Sequence, residues 1–226
     1  MSHFQVTSDF DGTISQKDSL KSLFDYFIGP KWRHLDEKIK SKAMSERVAL
    51  QKMLDLCDFA FQDALNFILN EISIDPGFAD FVAYCRREGI PLMILSSGFT
   101  EFILPLLRRE GLGDLPVYAN SLDQNEDGRW VVIERQSQRL CQTQSHCKCA
   151  SFKRLSLGLK SVYIGDGHSD VCVAKTADII FAKDFLKTSL DREAYVSLPW
   201  DNFQDICAQM ESLRKDIPAQ SEALSG

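Results

Sequence analysis

No stretch of the 226-residue chain approaches the ~20 consecutive apolar residues that a helix needs to cross a bilayer, so no membrane partner is expected. The opening residues, Met1-Ser-His-Phe-Gln5, lack the basic and apolar regions of a secretory leader, and a cytoplasmic location is the expectation. Basic residues are also in deficit. Against 26 Lys and Arg stand 32 Asp and Glu, a net charge of −6, which argues against a nucleic-acid binder built on a broad basic face. A small anionic substrate remains compatible, because a single lysine, a metal ion or a helix N-terminus holds phosphate on an acidic protein. Seven cysteines is an odd number, and with no secretion signal a disulfide framework is not expected. Internal repeats and low-complexity tracts are absent.

What is present is ordinary in bulk and specific in places. Apolar content of 44% and charged content of 26% suit a globular protein with one substantial core, or a core plus a small second unit. The most informative stretch is Phe4-Gln-Val-Thr-Ser-Asp9-Phe-Asp11-Gly-Thr13. It reads as a short strand, Phe4 to Ser8, that ends in two carboxylates one residue apart. Residues i and i+2 of an extended segment point the same way, so Asp9 and Asp11 address one centre. Gly12 lets the chain turn away and Thr13 supplies a hydroxyl. Two acids beyond the carboxyl end of a strand make a hard oxygen site suited to Mg²⁺. A strand followed by an Asp-Gly turn is the plainer reading of the same residues.

Four helical stripes follow with no strand between them. Asp18-Ser19 precede Leu20, Leu23, Phe24 and Phe27; Pro30 opens a helix with Trp32, Leu35 and Ile39 on one face; Ser45 caps a third; a fourth runs from about Phe61 to Ile72. Residues 15–75 are therefore read as a helical cap domain inserted after the first strand, with 1–14 and 76–226 forming an α/β core. Past Asp75-Pro76-Gly77, strands alternate with helices. Strands are expected at Pro91–Leu95, Val117–Ala119, Trp130–Glu134, Ser161–Ile164 and Ile179–Ala182, the second and third as an antiparallel hairpin across Asn125–Gly128. This pattern predicts a doubly wound, mostly parallel sheet.

Three of these strands end in chemistry: Asp9 and Asp11 after the first, Ser96-Ser97-Gly98 after the second, and Gly165-Asp166-Gly167-His168-Ser169-Asp170 after Ile164. In a parallel sheet those ends share one edge. At this point the sequence resembles the haloacid dehalogenase superfamily, phosphoserine-phosphatase-like branch, over nearly its whole length. Asp9-Phe-Asp11-Gly-Thr13 looks like the first motif, Ser96 like the second and Gly165-Asp166-(x3)-Asp170 like the fourth. Lys148 and Lys153 both fit the third; the placement of Leu155 seven residues after a Cys147-Lys148 pair favours Lys148.

The resemblance implies a phosphomonoester hydrolase for a small phosphorylated metabolite, working as a monomer or homodimer with Mg²⁺. Asp9 would be the nucleophile and Asp11 the acid and base. The Asp9 carboxylate, the Asp11 carbonyl and Asp166 would hold the metal, with Asp170 behind them. Ser96, Ser97, Thr13 and Lys148 would bind phosphate. Asp11 also argues for phosphate transfer over dehalogenation. Within the branch, Asp18 stands where phosphoserine phosphatases carry a Glu, and the run Cys141-(x5)-Cys147-Lys148-Cys149 is instead similar to methionine-salvage phosphatases, which act on 2-hydroxy-3-keto-5-methylthiopentenyl-1-phosphate. Phe24, Phe27 or Met53 would then face a thioether tail, and Arg47 a substrate oxyanion; the plainer readings are bundle core for the three apolar residues and solvent for Arg47. A phosphotransferase of the same fold and a non-catalytic phosphate-binding module are the rivals. Cys141, His146, Cys147 and Cys149 read as a zinc site, a redox-sensitive thiol pair or plain loop cysteines. His168 has no assigned role.

Overall fold

The computed structural model describes residues 3–133 and 146–215. A seven-stranded sheet organises them in the order β4-β3-β2-β1-β5-β6-β7. Its strands are β1 (Phe4–Ser8), β2 (Leu92–Phe99), β3 (Val117–Gln124), β4 (Trp130–Ile133), β5 (Lys160–Gly165), β6 (Ile179–Ala182) and β7 (Leu198–Pro199). All neighbours pair parallel except β3 and β4, the expected hairpin. The chain builds outward from β1 in one direction through β2 and β3, then crosses to the other side for β5, β6 and β7. A crevice opens at such a reversal, outside the carboxyl ends of the strands.

The helices are α1 (Ser19–Phe27), α2 (Arg33–Lys40), α3 (Glu46–Leu54), α4 (Phe61–Glu71), α5 (Phe78–Arg87), α6 (Thr100–Arg109), α7 (Lys148–Arg154), α8 (Val171–Ala174), α9 (Asp184–Arg192) and α10 (Phe203–Lys215). Alternation along the central strands sends side chains to two apolar layers. Val162 and Ile164 of β5 pack with Phe78 and Phe81 of α5 and with Phe203 and Ile206 of α10. Tyr163, between them, joins Phe152 of α7, Val173 of α8 and Leu186 of α9 on the opposite face. Strands buried on both faces read as continuous apolar runs. The doubly wound α/β class expected from the sequence is the architecture found.

Two features of this frame position the site. The first is a register shift in β2: Leu95 pairs with Tyr118 and Phe99 with Asn120, so Ser96-Ser97-Gly98 bulge out of the ladder. The sequence ends this strand at Leu95; pairing resumes beyond the bulge and carries it to Phe99. The second is the doorway through which α1–α4 leave and rejoin the sheet. Ser15 bridges Ile74 antiparallel, Asp75 N–H donates to the Ile14 carbonyl at 2.8 Å, and Gln16 N–H donates to Ser73 at 2.9 Å. The α3 helix also reaches the outer strand β4. The Gln51 amide donates to the Trp130 carbonyl at 2.8 Å and accepts from Val132 N–H at 3.1 Å, which occupies an otherwise open edge. No described helix is long and apolar enough to cross a membrane.

Candidate active site

Asp9 lies just past β1, buried, with its N–H bonded to the Ile164 carbonyl of β5 at 2.9 Å. Its Oδ1 accepts from Phe10 N–H at 2.7 Å and sits 2.6 Å from Lys148 Nζ. Lys148, the first residue of α7, is wholly buried, and its Nζ also donates to Asp170 Oδ1 at 2.7 Å. The Tyr163 hydroxyl donates to that same oxygen at 2.6 Å. Asp170 Oδ2 accepts the N–H groups of Gly167 at 2.9 Å and Asp166 at 3.2 Å. Lys153, the alternative lysine, is exposed on α7.

The Asp166 side chain is held by Thr13, whose hydroxyl donates to Oδ1 at 2.6 Å. Thr13 departs from the expectation of a phosphate donor: its single proton is committed to Asp166, and the residue is buried behind the cavity. Asp11 Oδ1 accepts the N–H of Ser19 at 2.7 Å, so the first turn of α1 grips this carboxylate. Ser96 Oγ accepts Gly98 N–H at 2.9 Å, and Ser97 Oγ donates to Glu46 of α3 at 3.4 Å. Two glycines permit the approach. Gly12 has φ +79° and a Cβ there would meet Asp166 Oδ2 at 2.5 Å; at Gly98 it would meet Asp11 Oδ2 at 2.8 Å.

These contacts set the charges. Burial by itself would discharge Lys148, but Asp170 and Asp9 outweigh it and hold the ammonium well above its ordinary range. Asp170 is likewise kept ionised against its burial by Lys148 and by the bonds from Tyr163 and Gly167. Burial, then repulsion from Asp170, pushes Asp9 well above the usual carboxylate range. Burial and Asp170 take Asp166 up to about 7; burial and Asp18 take Asp11 up to about 6. Crowded carboxylates facing one buried ammonium call for a further cation.

Asp9, Asp166 and Asp170 bring ligand oxygens within 4.8 Å of one another, the one group of three acidic, His or Cys side chains among the described residues that could hold a metal ion. Both Asp170 oxygens are already spent on Lys148, Tyr163 and two backbone N–H groups. Asp9 and Asp166 are therefore the acids that fit a hard cation. The zinc reading of the cysteines finds no such cluster at His146, Cys147 and Cys149 among the described residues; Cys141 lies outside them.

A cavity of about 400 Å³ opens over these groups. Asp9, Asp11, Asp166 and Ser96-Ser97-Gly98 form its floor, and Leu20, Phe24, Trp32, Ile39, Leu50 and Met53 bring an apolar roof from α1 to α3. Asp18, Asp36 and Glu46 also line it, with Asp18 paired to Lys21 at 2.7 Å and Asp36 to Lys40 at 2.6 Å. Phe24 and Met53 thus face the cavity, whereas Phe27 lines a separate open groove between α1 and α4 and Arg47 is exposed away from the wall. His168 is exposed at the mouth, its ring stacked on Phe185. Tyr163, Ser19 and Glu46 were not singled out by sequence. Tyr163 is indistinguishable from its apolar neighbours in β5, Ser19 acts through a backbone N–H, and Glu46 meets the site only through folding of α3.

The model of haloacid dehalogenase-like hydrolases matches residues 6–175. The chain belongs to this family. Its relatives match over nearly the full length: a 2-hydroxy-3-keto-5-methylthiopentenyl-1-phosphate phosphatase of Brevibacillus brevis is 31% identical over 212 residues, covering 92% of this chain and 96% of its own. The Pdp3-interacting factor 1 of Schizosaccharomyces pombe is also 31% identical, covering 92% and 95%. Among solved structures, a phosphoserine phosphatase captured as an analogue of its phospho-aspartyl intermediate superposes with a TM-score of 0.71 at 16% identity, over 92% of this chain and 98% of that one. That likeness establishes the phosphoserine-phosphatase type of fold.

Proposed function

We propose that this member of the hydrolase family is a Mg²⁺-dependent phosphomonoesterase for a small metabolite with an apolar tail, 2-hydroxy-3-keto-5-methylthiopentenyl-1-phosphate being the substrate that fits best. The observation that carries the reading is the two-sided cavity, acidic and hydrogen-bonding below and apolar above. A phosphate on the floor places the rest of the molecule against Phe24, Trp32 and Met53, where a thioether is favoured and a charge is not. The named activity of the bacterial relative agrees with that division.

In the proposed reaction Asp9 attacks phosphorus. Its Oδ1 accepts from Phe10 N–H and faces Lys148, which fixes the carboxylate against the cavity floor. The bond to the leaving oxygen breaks as Asp11 delivers its proton there; an acid at about 6 holds and releases a proton near neutral pH. Water then attacks the aspartyl-phosphate and gives a proton to Asp11, the bond between phosphorus and the Asp9 oxygen breaks, and phosphate departs. Ser96, Ser97 and Lys148 neutralise and orient the phosphoryl oxygens, and Asp170 holds Lys148 in place. Asp9, Asp166 and the Asp11 carbonyl would hold the Mg²⁺, which when bound offsets charge on acids and phosphate alike. Residues 15–75 serve as the selecting cap. The six described cysteines are all thiols, which suits a cytoplasmic location.

Phosphoserine is the second reading, favoured by Asp18, Asp36 and Glu46 in the wall. The pairing of Asp18 and Asp36 with lysines leaves little unbalanced negative charge for an amine. Phosphate release from the enol-phosphate, phosphoserine, pyridoxal phosphate and sugar phosphates, with Mg²⁺ and with chelator, tests the proposal. Strong preference for the enol-phosphate is expected; indiscriminate release discards the substrate, and undiminished release in chelator discards the metal.

A further inference from the structure

Behind the site, the Sγ atoms of Cys149 and Cys172 approach to 3.1 Å, about 1 Å from a disulfide bond length. Cys149 follows Lys148 in α7, and Cys172 lies in α8 two residues after Asp170. Cys149 therefore shares α7 with Lys148, and Cys172 sits on the helix that begins directly after Asp170, the partner of Lys148 in the 2.7 Å bond. Cys149 is buried among Phe152, Tyr163 and Val173, while Cys172 is half-buried and the more open to solvent.

We propose that Cys149 and Cys172 are a peroxide-responsive thiol pair whose disulfide displaces Lys148 relative to Asp170 and switches the site off. The Cys172 sulfur attacks one oxygen of hydrogen peroxide, the O–O bond breaks, and one water leaves as a sulfenic acid forms. The Cys149 sulfur then attacks Cys172, the S–O bond breaks, and the second water leaves. Two thiols lose two electrons and two protons, and one peroxide becomes two waters. Pulling the sulfurs together by about 1 Å moves α7 against α8, and a displacement of that size at a catalytic group costs as much as about a hundredfold in rate.

The test is peroxide treatment of the full chain, followed by blocking of the remaining thiols and peptide mapping, with p-nitrophenyl phosphate turnover measured in parallel. A Cys149–Cys172 linked peptide is expected, with turnover down about tenfold or more and both changes reversed by dithiothreitol. Cys172→Ser should keep the untreated activity and lose the reversible inhibition; Cys149→Ser gives a second, independent variant if the first folds poorly. A linkage to Cys147 or Cys141, the absence of any linkage, or a linked protein of full activity overturns the proposal. The inhibition rests on the phosphatase reading, but the linkage does not. An untreated protein that releases no phosphate therefore sinks that reading alone, and the peptide map still decides whether the pair forms.

Discussion

Lys148 is the residue on which the others lean. It is buried between Asp9 and Asp170, at 2.6 and 2.7 Å, and removing its charge leaves the enclosed Asp170 without a cation and Asp9 without its ion pair. Lys148→Ala is expected to abolish phosphate release and to cost about 3–5 kcal/mol of stability, read by urea unfolding. Lys153→Ala, on the exposed face of the same helix, should change stability by no more than about 0.5 kcal/mol and leave turnover intact. Equal losses in the two variants would mean the phosphate lysine is misplaced. Asp9→Asn keeps the shape of the side chain and the Phe10 bond but lacks a nucleophilic oxygen, so turnover should vanish while the circular dichroism spectrum stays native. Asp9 and Asp170 were legible in the sequence beyond strand ends, and Lys148 through the family resemblance, with Lys153 beside it as the alternative. The commitment of Thr13 to Asp166 was not, because a hydroxyl beside two acids has several partners until the loop from β5 is in place.

Protonation belongs to the same scale. Asp166 at about 7 and Asp11 at about 6 both lie above the unfolded carboxylate value, so above pH 7 the folded chain carries ionised acids at a cost in stability. That cost fades as pH falls from about 7 toward 4, where the folded chain holds protons that the unfolded chain does not. A cation competes for those sites with protons. Mg²⁺ should raise Tm more at pH 8 than at pH 5.5, by as much as about 2.7 kcal/mol of stabilisation at a hundredfold excess over Kd. A shift independent of pH, followed by differential scanning fluorimetry, would separate the metal from these acids.

At the scale of elements, the bulge in β2 and the reach of α3 to β4 do the positioning. The bulge takes Ser96-Ser97-Gly98 out of the ladder and makes them part of the cavity floor. Gly98→Ala would press a methyl on Asp11 Oδ2 and should lower kcat with little change in secondary structure. Gln51 holds α3, with Leu50 and Met53 of the roof, to the edge of the sheet by two amide bonds. Gln51→Ala should cost about 1–3 kcal/mol of stability, because the backbone groups of Trp130 and Val132 lose their partners, and should raise KM as the roof loosens. A KM equal to wild type would detach Gln51 from the substrate. Helix stripes and apolar runs gave nearly all elements away. The extension of β2 and β3 past their apolar runs did not show, because Ser96 to Gly98 and Asn120 to Gln124 carry no strand pattern; nor did β7, two residues ending in proline.

At the scale of the molecule, the class of fold followed from one regularity, strands alternating with helices after a block of helices alone. The gathering of the motif-bearing strand ends on one edge followed from it; the reversal of strand order there came only with the folded chain. The roof's identity needed the folded chain, since Phe24 and Phe27 belong to one stripe yet line different cavities. The doorway at Ser15 and Ile74 adds something else. All the roof residues are drawn from one uninterrupted stretch whose two ends are hydrogen-bonded to each other, while Asp9, Asp11, Asp166 and Ser96-Ser97-Gly98 of the floor stay outside it. Under the proposed function, taste and chemistry are thus written in separable passages of the gene. A graft that exchanges this passage between relatives, cut at the doorway, would carry the preference of the donor onto the reaction of the recipient.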